Sequence, residues 1–264
     1  MGVIRALTRL VPSSLRRYCR DLIDTDFRGV RPALLHLEQS ELSLNLDMVL
    51  SHYRVDHSKI CYLQVGAFDG VAGDPVYPLI ERHGLRGILI EPQHDAFLRL
   101  KENYSRFGES AFKFVNAAIA SDDGSSILYR IKPEARGPEW LHQIASFDRN
   151  VLMKHASMVS NLESLVQAEE VRCVTFATVF KEVGIEHVDM LQIDAEGYDA
   201  EILRLFNIGA RKPAIVQFEH KHLTVLDHKT SVKMLIDQGY KVTACGNNTL
   251  AYLEQKRAPA GSKS

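Results

Sequence analysis

The sequence predicts an α/β fold: a doubly wound, mostly parallel sheet with an antiparallel edge strand. Three observations predict it. From about Lys59 onward, short runs that are apolar throughout alternate with stretches of helical periodicity, the pattern of βαβ units whose strands are covered on both faces. A glycine or an acid follows four of the five runs that alternate with helices, at the place where open α/β sheets hold their ligands. A last pair of runs lies close enough to form a hairpin, which supplies the antiparallel strand.

The elements follow in order. Residues 1–55 are amphipathic and helical in pattern and are expected to cap the domain, not to fold alone. Within them Arg5, Arg9, Arg16, Arg17 and Arg20 mix with Ile4, Leu7, Leu10 and Leu15; such a basic amphipathic segment can touch a membrane, but packing on its own domain is the expectation. Residues 56–256 form the main domain and 257–264 a disordered tail. The first strand is Ile60–Val65, ended by Gly66, and the second Gly87–Ile90, ended by Glu91-Pro92, with a short helix over Val76–His83 between them. Phe97, Leu100 and Tyr104 recur at helical spacing, and Phe112–Ala117 is the third strand.

Phe176, Val179, Phe180 and Val183 follow one helix face, with Gly184 as the residue that ends it. Val188–Ile193 is a buried strand, Tyr198, Ile202, Leu205 and Phe206 a helical stripe, and Ala214–Phe218 a further strand. Val232, Leu235 and Ile236 belong to a helix closed by Gly239, before the hairpin of Tyr240–Ala244 and Thr249–Leu253. One stretch, 132–170, breaks the alternation. It carries the only tryptophan, Trp140, and is too long for a plain connection, so a lid or small helical cap on the acceptor side is expected.

Composition narrows the function. A formal net charge of −1 removes the electrostatic reason to expect a nucleic-acid partner. No apolar run approaches the roughly 20 residues that span a bilayer. Cys19, Cys61, Cys173 and Cys245 form no C-x-x-C pair and are read as core thiols of a reducing, cytoplasmic compartment. A homodimer is compatible with the sequence.

The strand ends carry the chemistry. Gly66-Ala67-Phe68-Asp69-Gly70-Val71-Ala72-Gly73 lets backbone approach a ligand, although its glycine spacing is not G-x-G-x-x-G. Glu91 lies about 20 residues after Gly70, near the spacing at which a carboxylate grips a ribose diol. Asn116-Ala117-Ala118 leaves room for a flat ring. Asp194-Ala195-Glu196-Gly197 places two acids at the end of a buried strand, which calls for a cationic or proton-bearing ligand, with helix capping as the plainer reading. Phe218-Glu219-His220-Lys221-His222 follows the fifth strand and is rich in titratable groups.

Taken in order, Val65–Gly70 and Gln192–Tyr198, supported by Leu89–Pro92 and Phe218–His220, resemble the FkbM family of S-adenosylmethionine-dependent methyltransferases. The resemblance runs from about Tyr62 to Tyr252. It implies a Rossmann-like class I methyltransferase fold, S-adenosylmethionine as cofactor, and O-methylation of a small hydroxylated acceptor, a carbohydrate or glycosylated metabolite. It places Gln64, Gly66, Ala67, Asp69 and Gly70, with Glu91, Pro92, Ala117, Ala118 and Asp194, around the cofactor. Gln64 departs from the pattern, since many members carry an acid there.

An alcohol acceptor needs its proton taken by a base within hydrogen-bond reach. The catalytic candidates are His220, His142, Asp194 and Glu196, with Glu219 beside them; a histidine is favoured because its proton affinity lies near neutrality. Trp140 and Phe147 could stack on a sugar face. Asp194, Glu196, Glu219 and His220 could together hold Mg²⁺ if their strand ends adjoin, but no spacing is specific to metal and no metal site is assigned. The rivals are a nicotinamide-dependent oxidoreductase, which leaves the Asp-x-Glu-Gly motif unexplained, and a non-catalytic relative that keeps the cofactor pocket. A nucleic-acid methyltransferase is disfavoured by the charge and by the absence of an N-P-P-Y motif.

Overall fold

The computed structural model describes residues 45–52, 60–108, 110–185 and 187–254. The expected basic segment from Arg5 to Arg20, Cys19, most of the expected cap over 1–55, and the tail over 257–264 lie outside the described residues.

In chain order the described elements are α1 (Leu46–His52), β1 (Cys61–Val65), α2 (Tyr77–His83), β2 (Arg86–Ile90), α3 (His94–Tyr104), β3 (Phe112–Val115), β4 (Ala118–Ile119), β5 (Gly124–Ile131), β6 (Ala145–Ser146), α4 (Arg149–Met153), α5 (Leu162–Leu165), β7 (Val166–Val174), α6 (Phe176–Val183), β8 (Met190–Ile193), α7 (Asp199–Phe206), α8 (Ile208–Arg211), β9 (Ile215–Glu219), α9 (Val225–Asp237), β10 (Lys241–Cys245) and β11 (Asn248–Tyr252). Seven strands form the central sheet in the order β10-β11-β9-β8-β1-β2-β3. Strands β3, β2, β1, β8 and β9 pair in parallel. The expected antiparallel strand is β11, but it lies one place in from the edge, paired with β9 on one side and β10 on the other. Its centre, Thr249 to Ala251, is fully buried, whereas β10 is partly exposed; the strand that can be covered on both faces takes the inner place.

Side chains alternate between the faces. Leu63, Val65, Leu191, Ile193, Val216 and Phe218 pack against α6, α7 and α9 through Phe176, Phe206 and Leu235. Tyr62, Leu89, Met190 and Ile215 turn to the other face, where Leu50 of α1, Leu79 and Ile80 of α2, and Leu100 and Tyr104 of α3 cover them. The turns obey local rules. Gly84 and Gly184 end α2 and α6 in the left-handed conformation, and Thr175 caps α6 by accepting from the Thr178 N–H.

Register is what builds the site. Val65 pairs with Ile90 and with Ile193, Ile90 with Val115, and Ile193 with Phe218. The next residues, Asn116, Glu91, Gly66, Asp194 and Glu219, therefore stand in one row across the carboxyl edge of the sheet. The order reverses between β1 and β8, the position where doubly wound sheets open a crevice.

A second sheet, β4-β7-β5-β6, was not foreseen. Its β5 and β7 form a long antiparallel ladder from Gly124↔Cys173 to Ile131↔Val166. Both are polar along much of one face, so neither shows the continuous apolar run of a buried strand. Between them the chain forms β6, α4 and α5 around a small core of Ile131, Leu141, Ile144, Leu152 and Leu162. Among the described residues no helix is long and apolar enough to cross a membrane.

Candidate active site

The row of strand ends opens into a cleft. Its floor begins with Gly66, whose φ of +79° and position admit no side chain: a Cβ would lie 1.7 Å from the Asp194 carbonyl oxygen. The chain then turns so that Phe68, at φ +48°, donates its N–H to Glu91 Oε2 at 2.8 Å. Glu91 Oε1 accepts from the Gln93 N–H at 2.9 Å. The carboxyl group is 3% exposed, and burial pushes its pKa up to about 7 against the pull of those two donors.

Two residues expected beside the cofactor serve the loop instead. Asp69 Oδ1 accepts the N–H groups of Val71 and Ala72, an Asx turn that folds the loop. Gly70 packs on α3, where a Cβ would meet Leu100 and Tyr104 at 2.4 Å. Neither residue lines the cleft; both hold the turn that does.

Gln64 lines the cleft and donates from Nε2 to Asp74 Oδ2 at 2.6 Å. Asp74 Oδ1 accepts the Val76 and Tyr77 N–H groups, fixing the start of α2. Burial raises the Asp74 pKa from its ordinary value. A carboxylate absent at position 64 is thus present one side chain away. Asp74 was missed because the glycine-rich loop appeared to finish at Gly73; an acid just before a helical run was the available signal.

At the end of β8, Asp194 and Glu196 both line the cleft. Burial, then the charges of Glu219, Asp199 and Glu196, raise the Asp194 pKa well above its ordinary value. Glu196 sits at φ +48°, a conformation that L-residues other than Asn and Asp seldom adopt and that collects at functional sites. Asp199, fully buried at the start of α7, holds this turn: its Oδ1 accepts from the Ala195 N–H at 3.4 Å and its Oδ2 from the Gly197 N–H at 3.2 Å.

The opposite wall comes from β4 and the segment around β6. Ala117 and Ala118 line an apolar slot with Ile119 and Leu128, next to Pro92. Gln143, Ser146 and Phe147 also line the cleft, and the Phe147 ring stands edge-on to Tyr198 at 5.4 Å. Trp140 does not line it; its ring tilts against His155 at 5.2 Å.

The cleft thus gathers Gln64, Gly66, Ala67, Glu91, Pro92, Ala117, Ala118, Asp194 and Glu196. Neither expected histidine base is among its lining residues. His142 Nε2 donates to the Ala135 carbonyl at 3.0 Å. His220 Nδ1 meets Thr249 Oγ1 at 3.0 Å and its ring stacks on His228 at 4.6 Å. The cause is strand alternation: Glu219 and His220 leave β9 on opposite sides, and His220 faces β11 and α9. His222 is the histidine that turns back, with Nε2 3.2 Å from Glu196 Oε2.

Among curated proteins no relative matches the chain. Among solved structures it is similar to methyltransferase FkbM from Methylobacillus flagellatus KT, at 12% identity and a TM-score of 0.47, over 84% of this chain and 58% of that one. It is also similar to precorrin-6y C5,15-methyltransferase from Geobacter metallireducens GS-15, at 14% identity and a TM-score of 0.38, covering 81% and 91% of the two chains. The N-terminal domain of human METTL16 is similar at 13% identity and a TM-score of 0.41, over 78% and 65%. The model of the methyltransferase FkbM domain matches residues 64–242, more than half of the chain, and the protein belongs to that methyltransferase family.

Proposed function

We propose that the protein transfers a methyl group from S-adenosylmethionine to a hydroxyl of a small polar acceptor of the carbohydrate class. The observation that carries this reading is the alignment of Glu91, Gly66 and Asp194 at three neighbouring strand ends, facing one cleft. The residues fit the cofactor. Glu91 has lone pairs left for a ribose diol after accepting two N–H groups. The alanines at 117 and 118, with Ile119 and Leu128, suit a flat adenine. Gly66 leaves backbone room for the amino-acid part, and Gln64 Oε1, buried without a partner, with the Asp74 carboxylate suits its ammonium group.

When bound, the cofactor supplies a methyl group on a cationic sulfur. The protein's own task is alignment, which is worth roughly 7–11 kcal/mol when reacting atoms are held in line. The acceptor's proton must also leave, and the carboxylates of Asp194 and Glu196 are the bases on the cleft wall. Phe147 and Tyr198 give the acceptor an aromatic wall.

Methyl-labelled S-adenosylmethionine offered with a panel of sugars and sugar-bearing metabolites, and with matched amines and carboxylic acids, tests the reading. Alkali-stable label on a hydroxylated acceptor is the expected result. Label on amines or acids alone would contradict hydroxyl transfer and leave the cofactor assignment standing.

A further inference from the structure

Beside the cleft, Glu219 at the end of β9 and His222 in the turn after it do no work in the proposed methyl transfer, yet both are held close to Glu196. Each of the three offers one ligand atom, and these atoms all lie within 4.8 Å of one another. His222 Nε2 is 3.2 Å from Glu196 Oε2 and 3.8 Å from Glu219 Oε2. The side chains of His222, Glu219 and Glu196 are only 7%, 12% and 15% exposed. Among the described residues none of the three atoms has a hydrogen-bond partner; the 3.2 Å approach is an ion-pair distance and not an aligned hydrogen bond. Buried polar atoms in folded proteins are nearly always paired, and two buried carboxylates held this close repel until a shared proton or a cation relieves them; an imidazole nitrogen aimed at the same point favours the cation.

We propose that Glu196, Glu219 and His222 form a binding site for a divalent transition-metal ion. Two carboxylate oxygens and an imidazole nitrogen suit Mn²⁺, Fe²⁺ or Zn²⁺ better than Mg²⁺ or Ca²⁺, which prefer all-oxygen shells. Three protein ligands leave coordination positions open, as in catalytic and not structural sites. Glu196 is shared with the cleft wall, so on the proposed function the open positions adjoin the place for an acceptor hydroxyl. On the far side the site is shielded by His155, 5% exposed, whose ring centroid is 5.6 Å from that of His222 and which is backed by Trp140. Of the four residues weighed for Mg²⁺, Glu196 and Glu219 belong to this trio and Asp194 does not; His220 is engaged by Thr249, and His222 is the histidine that joins the two acids.

The site is independent of the cofactor reading, and its test is metal binding itself. The full chain, stripped with a chelator and titrated with Mn²⁺ or Zn²⁺ by calorimetry, is expected to take up one ion, with a metal-dependent rise in Tm. His222→Ala and Glu219→Gln are each expected to weaken uptake by about 100-fold or more, because a ligand is lost outright and even supporting residues cost 10–100-fold. S-Adenosylhomocysteine binding, measured on the same samples, separates the two readings, since metal uptake without it leaves the site intact and refutes only the cofactor. Absence of stoichiometric uptake by the wild-type chain would overturn the proposal without recourse to any variant. So would folded variants that bind the metal as well as wild type.

Discussion

Gly66 and Asp194 touch backbone to backbone: a methyl group on the Gly66 α-carbon would lie 1.7 Å from the Asp194 carbonyl oxygen. This contact brings the ends of β1 and β8 together and sets the floor of the cleft. Gly66→Ala must both push Asp194 away and hold alanine at φ +79°, so a loss on the order of 3–5 kcal/mol is expected. Gly184→Ala is the control, because its φ of +69° is similar but nothing among the described residues lies within 4 Å; about 1–2 kcal/mol is expected there. Urea unfolding of the two variants decides it, and equal losses would mean that the strand ends are not in contact.

Glu91 ties the glycine-rich loop to β2 and faces the cleft. Glu91→Ala removes the acceptor of the Phe68 and Gln93 N–H groups, so the loop should loosen and affinity for S-adenosylhomocysteine should fall at least about tenfold, the equivalent of 1.4 kcal/mol. Unchanged affinity would remove Glu91 from the ribose.

The same residue gives a pH signature. Its folded pKa, about 7, lies above the ordinary value, so the folded state holds its proton more tightly than the unfolded chain does. The stability it contributes is complete below about pH 4.5 and lost as pH rises through 7. Asp199, also raised to about 7 by burial and the Glu219 charge, acts in the same direction. Glu91→Gln should therefore flatten, without abolishing, the fall in stability between pH 5 and 8, while lowering stability overall by placing an amide donor against an N–H. A pH series of denaturation midpoints with the wild-type slope retained would refute this.

Asp199 is a positioning residue for the Asp194–Glu196 turn. Asp199→Ala leaves the Ala195 and Gly197 N–H groups without their acceptor, at a cost of about 1–3 kcal/mol for each that stays buried. Turnover should drop more than cofactor affinity, because the turn carries the cleft carboxylates while Glu91 is untouched. Asparagine, which keeps one acceptor oxygen, should restore part of both. A pure loss of stability with normal kinetics would make the residue merely structural.

His220→Ala should spare turnover and cost about 1 kcal/mol from its lost hydrogen bond with Thr249, whereas Asp194→Asn should abolish turnover with S-adenosylhomocysteine binding retained. Collapse of activity in a folded His220→Ala protein would move the active site away from this cleft.

The central sheet was legible because its strands, such as Leu63 to Val65 and Leu191 to Ile193, are buried on both faces and read as apolar runs. Local patterning does not reveal β5 and β7, whose burial is one-sided and whose pairing joins residues far apart, Gly124 with Cys173. The same holds within the site. Glycines and acids at strand ends announced themselves, as at Gly66, Glu91 and Asp194. The direction in which His220 or His222 points depends on where β9 stops and the chain turns, and Asp69 and Gly70 serve a loop whose shape no spacing rule specifies. Asp74 acquires its meaning only when folding sets it against Gln64.

Calorimetric titration of the purified chain with S-adenosylhomocysteine, with NAD and NADP in parallel, tests the central claim most directly. Micromolar binding of S-adenosylhomocysteine alone is the predicted result. Failure of it to bind a folded chain, or binding of a nicotinamide cofactor in its place, would contradict the assignment of this cleft to methyl transfer from S-adenosylmethionine.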